Sequence, residues 1–133
     1  MGTKFNFNSQ ICTNRVQSEH LIALGLKKET ADCAIYLNGD NEFIQCSDYW
    51  GWKEQANIFP SWSMSRLIEM MPDLIKDNIE GMLYHLSIDG NSVFYETRSA
   101  DLCQFFGDNL YICIIDCIEW LIKEGYFNKE YLV

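Results

Sequence analysis

Three segments of the chain carry apolar residues at helical spacing between residue types that favour helix ends. The first segment follows Thr13 or Asn14, either of which can serve as the N-cap, and it ends at Gly25. The second segment opens at residues 61–63 and is closed by Pro72, because the residue before a proline disfavours helical backbone. These two patterns predict amphipathic helices that each bury one face.

The third helical segment is the most regular, with Asn109 as its N-cap and Gly125 as its left-handed end. Its apolar side chains form one broad face, and charged residues occupy much of the opposite side. The apolar face consists of Leu110, Ile114, Cys117, Ile118, Leu121 and Ile122. In the second helix the core face is predicted at Leu67, Met70 and Met71.

Two pairs of β-prone segments lie between the helices, and each pair flanks a turn sequence. Residues 33–37 and 42–46 flank an Asn-Gly turn, and residues 82–88 and 92–97 flank Asp89-Gly90. The elements therefore follow the order α-β-β-α-β-β-α. This order predicts an α+β fold in which a small antiparallel sheet from two β-hairpins packs with about three helices. The pattern leaves open whether the hairpins share one sheet or form two.

Length and composition favour one folded domain over residues 1–133. The chain has 133 residues, of which 48% are hydrophobic and two are proline, so its apolar surface can offset the entropy lost on folding. No linker or low-complexity stretch divides the chain. Residues 1–10 are mostly polar and are predicted to fray.

The net charge of −9, from 19 acidic and 10 basic residues, argues against direct contact with nucleic acid, because a phosphate backbone carries the same sign. A cationic protein partner is compatible with this charge. No apolar run reaches the roughly 20 residues that a membrane helix needs. Residues 1–10 also lack the apolar run of a secretory signal. We therefore expect a cytoplasmic protein that binds neither membranes nor nucleic acid.

The six cysteines are expected to be reduced and mostly buried, because several lie inside apolar segments, where a thiol packs as a small hydrophobe. Cys113 and Cys117 stand one helical turn apart, a spacing that can present two ligands to a metal. No Cys-x-x-Cys or His-x-His pair supplies further ligands. The sequence therefore predicts core packing for both, and it predicts no metal and no cofactor.

The side chains that titrate near neutral pH are His20 and His85, and neither lies in a recognisable catalytic motif. The carboxylates are dispersed along the chain, and the eight glycines fall mostly at turns and helix ends rather than in a phosphate-binding loop. We predict that both histidines lie at or near the surface. The pattern favours a protein that is not an enzyme.

An aromatic segment between the first hairpin and the second helix is the strongest candidate for a binding surface. Tryptophan and tyrosine are the residues most enriched in binding hot spots. The candidate residues are Tyr49, Trp50, Trp52, Phe59 and Trp62. The alternative is that these rings seal an open edge of the core, since tryptophan is usually well buried.

Residues 17–26 followed by Thr30-Ala31-Asp32, and residues 59–72 with their Pro-Ser-Trp-Ser start and Met-Pro end, form a recognisable pattern. Residues 118–121 share it more loosely. In these segments the chain resembles short uncharacterised proteins encoded in prophages and mobile elements of gut anaerobic bacteria. The resemblance implies a cytoplasmic accessory protein and supplies no catalytic residue.

Three functions follow from these observations. The first is a phage-related protein–protein interaction module without catalytic activity, acting on a protein partner or by self-association through the aromatic segment. The second is a small-molecule-binding protein or minor enzyme with an aromatic-lined pocket, in which His85 and Tyr95 would converge. The third is an acidic inhibitor of a host nucleic-acid enzyme.

Overall fold

A computed structural model describes residues 9–45 and 57–133, and over these ranges the fold is α+β with two antiparallel sheets. Helices α1, α2 and α3 span Arg15–Ala23, Met64–Met70 and Leu110–Glu124. Strands β1 to β7 span Cys33–Asn38, Asn41–Gln45, Ile58–Ser61, Leu74–Lys76, Leu83–Asp89, Ser92–Thr97 and Ala100–Phe106. Short 3₁₀ turns occur at Lys28–Thr30 and Lys129–Tyr131.

The predicted helix ends are confirmed by their hydrogen bonds. The Asn14 side chain accepts a bond from the Gln17 backbone N–H, and the Gln17 side chain accepts one from the Asn14 N–H, which completes a capping box. Asn109 caps α3 by accepting from the Tyr111 N–H, and Gly125 ends it with a left-handed φ of 81°. These local bonds fix both helices at the positions that the sequence predicts.

Both hairpins form as predicted, but they lie in different sheets. The first sheet has the strand order β2-β1-β3 and the second the order β4-β5-β6-β7. Strands β3, β4 and β7 were not predicted, so the expectation of two hairpins alone is wrong. Strand β3 contains Pro60, which is typical of edge strands, and it ends at Ser61. Helix α2 begins after Ser63, its N-cap, within the predicted start at residues 61–63. Strand β4 has only three residues, too few to show alternation.

One hydrophobic cluster draws residues from all three helices and from both sheets. Helix α3 contributes most to it and lies across β6 and β7. Its buried residues are Tyr111, Cys113, Ile114, Ile115, Cys117, Ile118 and Leu121. Leu67, Met70 and Met71 are also buried, as predicted for the second helix, although Met71 caps the helix end.

The two faces of the second sheet have different roles because side chains alternate along each strand. Tyr95 on β6 stands in register with Leu86 on β5 and Cys103 on β7, and this face packs against the core. His85 and Glu96 stand in register on the opposite face. Neighbouring residues along each strand therefore lie on opposite faces of the sheet.

Candidate binding groove on helix α3

Of the five residues of the predicted aromatic surface, the structure describes Phe59 and Trp62. Tyr49, Trp50 and Trp52 lie outside the described residues. Phe59 is partly buried on β3, with the Arg15 guanidinium 4.6 Å from the centre of its ring. Trp62 has no solvent exposure, so its ring lies in the core rather than on a contact surface.

Hydrogen bonds connect Trp62 to Thr13 and Thr30, which lie earlier in the chain. Its indole Nε1–H donates to Thr30 Oγ1 at 2.9 Å, and its backbone N–H donates to Thr13 Oγ1 at 3.1 Å. Next to it, the Ser63 backbone N–H and hydroxyl donate to the two Asp32 carboxylate oxygens at 2.8 and 2.5 Å. Residues 30–32 and 62–63 thus meet in one set of structural hydrogen bonds.

The buried hydroxyl groups beside Trp62 have partners of their own. Thr13 Oγ1 lies 2.7 Å from Ser18 Oγ and 3.1 Å from Ser61 Oγ, and the Ser61 hydroxyl lies 2.6 Å from the Thr13 carbonyl oxygen. Polar atoms buried in this way stabilise a fold only when they are paired. Their role is therefore to connect β3 to the start of α1.

The pocket expected from His85 and Tyr95 does not form. His85 is exposed on the outer face of the second sheet, whereas Tyr95 faces the core. The Tyr95 hydroxyl donates to the Pro72 carbonyl oxygen at 2.8 Å, and burial raises the pKa of this phenol far above its usual value. His85 and Tyr95 therefore lie on opposite faces of the second sheet and do not form a common site.

His20, by contrast, lines a cavity. Its Nε2 lies 3.5 Å from Glu119 Oε1, which joins α1 to α3 across their solvent-facing sides. A cavity of about 290 Å³ beside it also contains Asp116 and the apolar residues Val16 and Ile112. The prediction that His20 lies near the surface is confirmed, since 42% of its side chain is exposed.

A larger cavity of about 660 Å³ adjoins the first one at Asp116. Its volume falls within the range of natural ligand pockets. We call it the Trp120 groove, and it is lined by Leu24, Phe105, Asp116, Glu119, Trp120, Ile122 and Lys123. Asp116 lines both cavities, so they form neighbouring parts of one surface.

The aromatic wall of the Trp120 groove is held in place by ring contacts. The Trp120 ring centre lies 5.7 Å from that of Tyr126, 6.4 Å from that of Phe105 and 6.5 Å from that of Tyr95. Distances in this range are those of favourable aromatic pairs. Trp120 is partly buried, so it is anchored by its neighbours and still offers part of its surface to the groove.

The charged wall of the groove is mainly acidic. Asp116 and Glu119 stand three residues apart on α3 and so occupy one side of the helix. Burial raises the pKa of Asp116, the Glu119 carboxylate raises it further, and His20 acts in the opposite direction. Lys123, also exposed on α3, is the basic residue of the rim. Negative charge thus stands beside an aromatic surface in a concave site.

Metal ligands do not converge in the described ranges, where no group of three or more His, Cys, Asp and Glu side chains could hold an ion. The prediction that Cys113 and Cys117 pack in the core is confirmed, since both have no solvent exposure. Cys113 Sγ lies 3.1 Å from the Asn91 carbonyl oxygen, with burial raising its pKa. Burial therefore makes Cys113 less able to act as a thiolate ligand.

The groove residues were missed because the sequence pattern assigned Asp116 and Glu119 to the solvated side of α3. A signal was nevertheless present: Trp120 interrupts that polar side one turn after Asp116. The contribution of Phe105 could not be found in the same way, because β7 was not predicted. Only packing of α3 on this strand brings the two aromatic rings together.

The helices of the described residues are all too short or too polar to cross a lipid bilayer. No protein-family model, no curated protein and no solved structure matches the chain in comparisons of sequence and fold.

Proposed function

We propose that this chain is a protein–protein interaction module without catalytic activity, which holds a cationic side chain of its partner in the Trp120 groove. The observation that carries this proposal is the groove itself, a cavity whose lining includes Trp120 and the two acidic residues Asp116 and Glu119. Of the predicted surface at residues 49–62, Trp62 lies in the core, whereas Tyr49, Trp50 and Trp52 lie outside the described residues. We therefore argue the contact from the groove on α3.

Cation recognition follows from the chemistry of the two walls. A guanidinium or ammonium group over a tryptophan face gains about 0.5–2 kcal/mol, more as the site loses water. The Asp116 and Glu119 carboxylates add charge-assisted hydrogen bonds to the same group. Arginine fits better than lysine, because its planar head stacks on the indole and donates in a fork to a carboxylate. The net charge of −9 would also speed the approach of a basic partner.

Lys123 also lines the Trp120 groove, and its positive charge opposes the binding of a cation there. Its side chain is exposed on a flexible stem, so it can turn toward solvent when a partner cation enters. We therefore expect Lys123→Gln to strengthen binding of a cationic group.

A direct test uses two short capped peptides that differ only in charge: Gly-Arg-Gly and Gly-citrulline-Gly, whose neutral side chain has nearly the shape of arginine. The indole N–H resonance of Trp120 reports occupancy of the groove. We expect the arginine peptide to shift this resonance in a saturable way and the citrulline peptide to leave it in place. The double variant Asp116→Asn, Glu119→Gln should bind the arginine peptide about tenfold more weakly, which corresponds to about 1.4 kcal/mol.

The matched control is Glu124→Gln, which removes one carboxylate from the same helix outside the groove. It should bind the arginine peptide as the unaltered protein does. If Glu124→Gln weakens binding as much as the double variant does, net charge alone attracts the peptide. That result, or a citrulline peptide that binds equally well, contradicts the proposal.

The partner itself can then be sought among bacterial proteins, a choice that the resemblance of residues 17–32 and 59–72 to prophage proteins supports. A captured protein counts only if the double variant loses it while Glu124→Gln retains it. Capture must also survive moderate salt, because exposed charges more than a Debye length apart are screened under those conditions.

A second candidate function is binding of a small organic molecule at the same surface, and the raised pKa of Asp116 favours it. Carboxyl groups with a raised pKa in a cleft beside a histidine are common at functional sites. This candidate predicts a ligand that occupies the His20 cavity and the Trp120 groove together. Resonance shifts at His20 as well as Trp120, from a single low-molecular-weight compound, would favour it over a protein partner.

A further inference from the structure

Strand β7 forms one edge of the second sheet and joins the Trp120 groove through Phe105. In the order β4-β5-β6-β7, it pairs with β6 alone among the strands that the structure describes. Alternate residues of such an edge strand direct their backbone N–H and C=O groups away from the sheet, where another chain can pair with them. Phe105 stands in register with the buried Val93 and also lines the groove. An open strand edge and an acidic aromatic cavity therefore lie side by side.

Two of the other sheet edges carry features that hinder strand pairing, whereas most of β7 does not. Strand β3 contains Pro60, and β4 has three residues and ends at Lys76. Strand β7 has seven residues, with neither proline nor lysine among them. Its one irregularity is at Leu102, which the register with β6 skips. The regular part of the edge is therefore residues 103–106, which include Phe105.

A strand added beside β7 would direct every second side chain toward the groove. A residue directly opposite Phe105 would have its Cβ about 5 Å from that of Phe105 and would point to the same face. Helix α3 packs on this face, and its Trp120 ring centre lies 6.4 Å from that of Phe105. Asp116 is one turn from Trp120 on the same side of the helix. An arginine opposite Phe105 would therefore have both the indole and a carboxylate within reach.

The residues next to that arginine would lie on the outer face of the sheet. Phe106 is on this face, in register with Ser92, and is 67% exposed. An apolar side chain beside it would remove part of this ring from water, and β-branched residues are favourable partners for an aromatic ring across strands. The two faces of the edge thus favour a segment in which arginine alternates with apolar residues.

We propose that the partner binds as an extended peptide segment that adds a strand to the β7 edge, with an arginine in the Trp120 groove and an apolar residue beside Phe106. This inference rests on the proposed function, because the same groove holds the cation. The acidic residues of the groove complement the arginine, and backbone hydrogen bonds add affinity that a lone side chain lacks. A second copy of β7 fits less well, since it carries Asp101 and no basic residue to pair with the groove.

The test follows amide and indole resonances of the full chain with three capped peptides: Gly-Arg-Gly, Thr-Val-Arg-Val-Thr and the citrulline form of the longer one. The longer arginine peptide should bind about tenfold more tightly than Gly-Arg-Gly, because backbone hydrogen bonds join the arginine contact. Its citrulline form should lose at least that gain. The shifted amides should include residues 103–106, while those of β2, an edge away from the groove, stay in place.

Two N-methylated forms of Thr-Val-Arg-Val-Thr detect strand pairing itself. One carries the methyl group on the arginine nitrogen, and the other carries it on the nitrogen of the valine that follows. Neighbouring residues of a paired strand point their N–H groups in opposite directions. One form should therefore lose the added affinity and the other should keep it. A peptide that is held by its arginine side chain alone tolerates both changes.

A matched pair of variants tests the contact on the outer face. Phe106→Ala should weaken binding of the longer peptide and leave binding of Gly-Arg-Gly unchanged. Leu74→Ala is the control, because Leu74 is an exposed residue in register with His85 at the opposite edge of the sheet. It should bind both peptides as the unaltered protein does. Circular dichroism verifies that each variant folds.

Three outcomes overturn the proposal. If Gly-Arg-Gly binds but both N-methylated peptides bind as the unmethylated one does, the groove holds a cation without an added strand, and the proposed function stands. If neither Gly-Arg-Gly nor the longer peptide shifts the Trp120 indole resonance, the proposed function fails as well. If the amide resonances of residues 103–106 move with protein concentration in the absence of peptide, a second copy of the chain occupies the edge.

Discussion

Replacing Trp62 by phenylalanine removes a hydrogen bond and leaves a smaller ring in a site with no solvent exposure. The indole Nε1–H to Thr30 Oγ1 bond, 2.9 Å long, contributes about 1 kcal/mol. The lost ring volume is roughly 40 Å³, which at about 24 cal/mol per Å³ of cavity costs another ~1 kcal/mol. Thr30 Oγ1 keeps its own bond to the Lys27 carbonyl oxygen at 2.6 Å. We therefore expect the free energy of unfolding to fall by about 2 kcal/mol.

Urea unfolding followed by far-ultraviolet circular dichroism measures this change without interference from the other tryptophans. The denaturant slope should stay constant, because the surface exposed on unfolding barely changes. A double-mutant cycle with Thr30→Val isolates the hydrogen bond and should give a coupling energy of about 1 kcal/mol. A loss below about 0.5 kcal/mol in Trp62→Phe, together with weaker capture of a partner, would refute the reasoning and return Trp62 to the binding surface.

Two further predictions concern helix α3. Gly125→Ala should lower the free energy of unfolding by about 1 kcal/mol in urea unfolding, because alanine is strained at the φ of 81° that ends the helix, while Glu124→Ala should have little effect. Burial raises the pKa of Tyr111 from 10.0 to about 12, so the folded state favours the neutral phenol. The contribution of Tyr111 to the free energy of unfolding is full below pH 10 and is lost as the pH rises toward 12. In urea unfolding from pH 9 to pH 12, Tyr111→Phe should therefore lose less stability with rising pH than the unaltered chain. An equal loss in both proteins would contradict this prediction.

Hydrogen bonds join residues 30–32 to the start of α2. Asp32 accepts two hydrogen bonds from Ser63 at the start of α2, and Thr30 accepts one from the buried Trp62. The Arg66 guanidinium also donates to the Thr30 carbonyl oxygen at 2.9 Å. These bonds hold the start of α2 against the turn at residues 28–30, so they stabilise the fold.

The candidate site could be predicted only in part. The acidic positions of α3 and the unusual placement of Trp120 are visible in the sequence, since helical periodicity fixes which side of a helix each residue occupies. The groove also needs Phe105 from β7 and Leu24 from the end of α1. Their approach depends on how α3 packs against two other elements, and no local pattern encodes that packing.

Elements whose signals are local could be predicted from the sequence. Capping bonds at Asn14 and Asn109, the left-handed end at Gly125 and the two hairpin turns each involve residues within a few positions of one another. The short strands β3, β4 and β7, the division into two sheets and the burial of Trp62 depend on tertiary structure. Their physical cause is pairing between distant segments, such as Trp62 with Thr30 and β1 with β3, which sequence spacing does not constrain.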